Sequence, residues 1–173
     1  MKPTFFKVLS FWVLPGLIAG AGFLSIALIS GALATTVWAM PDAIAQTIGV
    51  TAPAGYSFEP VPVLVGIAVH LALSIGLGII FTGFALWRQL HGWLLVAAAA
   101  VFITIETPIA LWAVLHTLLP ATTFQFFLAA IPLWGSVLGH YLYALILGLL
   151  LARHPFTASW KPRASTTEVE TRA

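Results

Sequence analysis

The sequence predicts an all-α membrane protein: a four-helix transmembrane bundle built as two tandem helical hairpins. Two observations carry that expectation. Of the 173 residues, 61% are hydrophobic and only 7% charged, against about 45–50% and about 25% in a soluble domain. The apolar residues also fall into four runs, each long enough to supply the roughly 20 residues that cross a bilayer. A soluble fold of this size has no interior large enough for so much apolar surface, so lipid must take it.

The first run extends from about Val8 to Met40, with Pro41 expected to break it. Ala32-Leu33-Ala34 resembles a signal-peptidase site, but the run is longer than the roughly 7–15 residues of a signal core, so it reads as an anchor. The loop from about Pro41 to Val61 is the longest. Its first part, Asp42 to Val50, has the pattern of a short interfacial helix with Ala43, Ile44 and Ile48 turned to lipid. The second run is Pro62 to about Leu86, ending at Trp87-Arg88-Gln89. The third is Gly92 to Leu119, followed by Pro120. The fourth is about Thr123 to Ala152, stopping at Arg153-His154-Pro155. Residues 1–155 thus form the membrane domain, and residues 156–173 a polar, Thr-rich tail.

Seven Lys and Arg set the orientation. Lys2 and Lys7 precede the first run, Arg88 follows the second, and Arg153, Lys161, Arg163 and Arg172 follow the fourth. All fall on one side, which the positive-inside rule makes cytoplasmic, with both termini inside. Asp42 and Glu59 belong to the opposite side. Trp12, Trp87, Trp93 and Trp160 mark the inner interface, and Trp38, Trp112 and Trp134 the outer one. The expected location is the cytoplasmic membrane of a bacterium. Basic residues this few and this placed do not make a nucleic-acid surface. The absence of cysteine removes disulfides, thiolate metal sites and iron–sulfur clusters.

The second and fourth runs share a pattern. Pro62, His70 and Gly78 are spaced by eight, as are Pro132, His140 and Gly148, at a constant offset of 70 residues. Gly66-x3-His70-x3-Ser74-x3-Gly78 aligns with Ser136-x3-His140-x3-Ala144-x3-Gly148. Two-helix copies keep one orientation, so the halves would be related by an axis along the membrane normal. Small residues every four positions allow close helix approach; Gly16-x3-Gly20 and Ser74-x3-Gly78 are further examples.

Glu106 is the one formally charged residue deep in a run. A carboxylate there costs several kcal/mol or stays protonated. It stands in Thr104-Ile105-Glu106-Thr107-Pro108. Pro108 removes a backbone hydrogen bond, and Thr104 and Thr107 are placed to satisfy the groups it frees. At about 1.5 Å per residue, Glu106 lies about 21 Å from the inner edge, His140 about 20 Å and His70 about 27 Å.

Three readings of the two histidines stand side by side. Each imidazole donates to a carbonyl or to Glu106 as a structural group. Alternatively His70 and His140 ligate b-type haem, or one of them a chlorophyll-type pigment, in the space small neighbours leave. Or Glu106, His140, Tyr141, Tyr143 and Thr104 form a proton or ion relay. His91 and His154 sit beside Arg88 and Arg153 at the inner interface, and His116 near the outer end of the third run. No metal-ligand spacing or hydrolytic constellation is present.

The run Gly139-His140-Tyr141-Leu142-Tyr143-Ala144 and the repeated small-x3-His-x3-small-x3-Gly helix resemble those of small uncharacterised bacterial four-helix membrane proteins. The likeness would cover about Pro15 to Arg153. It implies the same topology and no particular activity. Small multidrug transporters differ, since their essential Glu lies in the first helix.

Enzyme activity of its own is not expected. The leading expectation is an accessory or structural subunit that packs against other membrane subunits or itself through Gly16, Gly20, Gly66, Ser74, Gly78, Ser136 and Gly148. The alternatives are an electron-transfer subunit binding a cofactor through His70 and His140, and a proton-coupled small-solute carrier using Glu106.

Overall fold

The computed structural model describes residues 5–109, 116–118, 121–130 and 132–154. Lys2, Trp112, Pro120, Trp160, Lys161, Arg163 and Arg172, and with them the polar tail, lie outside the described residues. Those described are helical, with no strand among them. Three helices are long and apolar enough to cross a membrane: Leu9–Ala34, 26 residues; Pro60–Trp87, 28 residues; and Leu133–Arg153, 21 residues.

The first of these is kinked. Helix α1 (Phe5–Trp12) and helix α2 (Leu14–Ala34) meet at Val13. Pro15, in the first turn of α2, has no N–H for the carbonyl of Phe11, and its ring crowds the preceding turn. Hydrogen bonds from Val13 to Leu9 and from Leu17 to Val13 keep the axis continuous across the kink.

Pro41 does not end this run, contrary to the sequence expectation. The helix stops at Ala34, and a new helix, α3 (Ala39–Thr47), begins before Pro41. Proline is tolerated in the first helical turn because the N–H it lacks has no partner there. Thr36 makes the reversal instead. Its hydroxyl donates to the Tyr56 carbonyl at 2.9 Å and accepts from the Trp38 N–H at 3.3 Å. Nor do Ala43 and Ile44 turn outward from α3: both are buried, and of the three expected outward residues only Ile48, just past the helix, is exposed. The helix packs against α4 and α7, which cover its apolar face.

A short 3₁₀ turn (Ala54–Tyr56) precedes helix α4 (Pro60–Trp87), which has prolines in its first turn. The turn to helix α5 (Trp93–Pro108) uses positive φ at Gln89 and Gly92. Here the Arg88 guanidinium lies over the Trp87 ring, 5.3 Å from its centroid. Helix α5 has 16 residues, and helix α6 is the short piece His116–Leu118. The expected single fourth helix is two: α7 (Ala121–Ala130) and α8 (Leu133–Arg153). Pro132 parts them, with extended backbone at φ −62° and ψ 139°. It offers no N–H to continue α7, and it disfavours helix in the residue before it. Helix α7 then packs on α3, leaving α8 to cross the core.

The packing order is set by α2, which lies against both α4 and α8; α8 in turn lies against α5. The core runs continuously through Phe11, Ala19, Phe23, Phe81, Leu95, Ala99, Ile103, Tyr143 and Leu147. Gly16-x3-Gly20 faces Ser74-x3-Gly78. A methyl on Gly78 would stand 2.6 Å from the Gly16 Cα, and one on Gly20 2.6 Å from the Ser74 hydroxyl. Gly148 meets the α5 backbone at Leu95 and Val96, and Gly66 meets the Pro41 carbonyl of α3. These small residues serve contacts within the chain.

Candidate functional site

Two histidines from different helices stand at one aromatic ring. Phe23 of α2 has its ring centroid 4.9 Å from that of His70 and 4.7 Å from that of His140. The depth difference estimated from the sequence disappears, because both imidazoles meet the same side chain. Gly139 makes room, with its backbone against the Phe23 ring.

Each imidazole already has a hydrogen bond. His70 Nε2 donates to the Gly20 carbonyl of α2 at 3.1 Å. His140 Nδ1 donates to the Ser136 carbonyl one turn back at 2.7 Å, with the Ser136 hydroxyl 3.4 Å away. Carbonyl oxygens only accept, so both bonds fix the tautomer. The two copies of the sequence pattern therefore use their histidines differently. One ties two helices together and the other folds back on its own.

This geometry does not fit a haem shared by His70 and His140. Helix α2 packs on both α4 and α8, and Phe23 occupies the ground against both rings. A macrocycle there would have to expel a core phenylalanine that is 7% exposed.

Glu106 lies on α5, facing the region of α8 and α4. Its Oε2 is buried without a hydrogen-bond partner among the described residues, and so is the Thr107 hydroxyl beside it. Thr104 does not serve the backbone freed by Pro108. Its hydroxyl donates to the Ala100 carbonyl at 2.8 Å and accepts from Tyr141 at 3.0 Å, on an exposed face. Tyr143 points inward. Its hydroxyl donates to the Ser74 carbonyl of α4 at 2.7 Å, and it is close enough to Glu106 to feel its charge. The expected relay is thus not a connected chain. Glu106 and Tyr143 are neighbours, Thr104 and Tyr141 form a separate exposed pair, and His140 bonds to neither.

A second acidic group escaped the sequence reading. Asp42 of α3 is fully buried, and both carboxylate oxygens lack a hydrogen-bond partner among the described residues. Burial, and secondarily the neighbouring Glu59, push its carboxyl up to about 6. Tyr56, at the 3₁₀ turn, is raised to about 12 by burial and by Asp42. The sequence signal available was Asp42 lying between Pro41 and Ala43 in a stretch with no Lys or Arg between Lys7 and Arg88. An acid so far from any cation has no ready counterion once buried.

Among the described residues, no group of three or more His, Asp or Glu is close enough to hold a metal ion. No known protein family, curated protein or solved structure matches this chain.

Proposed function

We propose that the chain is a proton-coupled carrier of small solutes in which Glu106 binds the coupling proton. One observation carries this reading: a half-buried carboxyl on an apolar helix, one oxygen of which is shielded from solvent with no hydrogen-bond partner among the described residues. Ionised, such a group is costly in a bilayer. Protonated, it is tolerated. Its occupancy by a proton therefore changes the energy of the surrounding helices, which is what coupling requires. Tyr143, tied to α4 through Ser74, is the side chain through which α8 and α4 sense that change.

The accompanying topology has four membrane crossings, α5 belonging to the third. The membrane is a bacterial cytoplasmic membrane, with both termini on its cytoplasmic side. The Arg88 turn and Arg153 at one end of the bundle support this orientation. The tandem-hairpin reading is supported by α4 lying on α2 and α8 on α5, with Gly78 and Gly148 as the close contacts. Glu106→Gln in liposomes tests the carrier: proton-driven solute flux is lost. Unchanged flux in that variant would refute it.

A second reading is an accessory or scaffold subunit packing against partner helices. The Thr104–Tyr141 pair supports it, since these hydroxyls lie on an exposed face where a partner helix would meet polar groups. Native-membrane cross-linking at Tyr141 that captures no second chain would count against it.

A further inference from the structure

Helix α3 presents an unusual combination. It is short, lies at the end of the bundle away from the Arg88 turn, and is wedged between α4 and α7. Its fit against α4 is close, with the Pro41 carbonyl on Gly66, one turn from His70. Met40 and Ile44 belong to the same continuous core as Phe23. At the centre of this apolar packing sits Asp42, with no exposed surface and no hydrogen-bond partner among the described residues.

Neither Asp42 oxygen has a hydrogen-bond partner among the described residues to stabilise an ionised carboxylate. Glu59, at the start of α4, adds like charge, and Tyr56 of the 3₁₀ turn is close enough to feel the Asp42 charge. The sequences of α2 and α7 contain no Asp, Glu, Lys, Arg or His. His116 of α6 rests on the Phe124 ring of α7. No Lys or Arg occurs between Lys7 and Arg88, nor between Arg88 and Arg153. The docked position of α3 is therefore compatible with a neutral Asp42 and penalised by an ionised one.

We propose that Asp42 is an outer proton-binding site whose occupancy holds α3 docked, and that loss of the proton releases α3 from α4 and α7. Release opens the core at its outer end, so α3 serves as an outer gate; that purpose rests on the carrier reading above. The carboxyl's elevated affinity for a proton places the transition near pH 6.

The chain has no cysteine, so single thiols can be introduced without background. Ala43→Cys places a thiol on the buried face of α3, and Ile48→Cys an exposed one just past its end. Both variants are labelled in liposomes from the outside with a membrane-impermeant maleimide. The rate for Ala43→Cys is divided by the rate for Ile48→Cys, which cancels the intrinsic effect of pH on thiol reactivity. The expected ratio rises about tenfold between pH 5 and pH 8, following the ionised fraction of a group titrating near 6, and stays low throughout when Asp42→Asn is added. A ratio that does not change with pH overturns the proposal, as does a rise that survives Asp42→Asn. Ala39→Cys, also fully buried on α3, repeats the measurement if Ala43→Cys does not fold. Solute flux is not read, so failure of the carrier reading in Glu106→Gln and failure of the gate in the labelling remain separate results.

Discussion

The hydroxyl of Tyr143 on α8 donates to the carbonyl of Ser74 on α4 at 2.7 Å, across a core in which both residues are buried. It joins two helices that each pack closely on α2. It also removes the polar end of Tyr143 from the hydrocarbon, where an unpaired hydroxyl would be costly. Tyr143→Phe should lower stability by about 1 kcal/mol, the ordinary net value of one hydrogen bond. Equilibrium unfolding in mixed micelles measures it. A wild-type midpoint in that variant would show that the bond contributes nothing.

Gly78 and Gly76 lie two residues apart on α4 and make opposite predictions. A methyl at Gly78 meets the Gly16 backbone, which cannot rotate away, whereas one at Gly76 meets nothing within 4 Å. Gly78→Ala should cost roughly 1–3 kcal/mol, the range for overpacking. Gly76→Ala should be neutral or slightly stabilising. Thermal denaturation of both proteins in one detergent makes the comparison, and equal losses would contradict the observed helix contact.

Phe23 predicts the spectrum. With its ring against both His70 and His140, protein purified with native lipid should show no Soret or chlorin band. Phe23→Ala should destabilise by about 3–5 kcal/mol, since it empties a core site. A haem band in the unaltered protein would mean that α2 stands elsewhere in the membrane.

Asp42 predicts a pH dependence whose sign is opposite to that of an ordinary paired carboxylate. Its folded value is raised from 3.8 to about 6, so between these limits the folded state binds more protons than the unfolded one. Stability therefore falls as pH rises from about 4 to about 6, and levels off above that. Asp42→Asn should flatten this segment of the stability curve. Denaturant midpoints across that range provide the measurement. A curve of the same slope in the variant would assign the dependence to another group.

The apolar runs were legible because a bilayer sets a length requirement that composition alone can meet, and three long spans follow from it directly. Helix interruptions were less legible, because a proline's effect depends on its place in the turn. Pro41 entered the first turn of α3 and broke nothing, while Pro132 parted α7 from α8. Gly16, Gly20, Ser74 and Gly78 announced close helix contact by their spacing, but only the fold showed that they meet one another and are not left for a partner. His70, His140 and Glu106 stood out by chemistry alone. That Phe23 would come against both histidines, and that Glu106 would bond to neither, depends on α2 lying on both α4 and α8. Local sequence carries chain propensities and lengths, whereas the neighbours of a buried group come from segments distant in the chain. For the same reason Asp42 looked like an interfacial acid until the packing of α3 removed it from water.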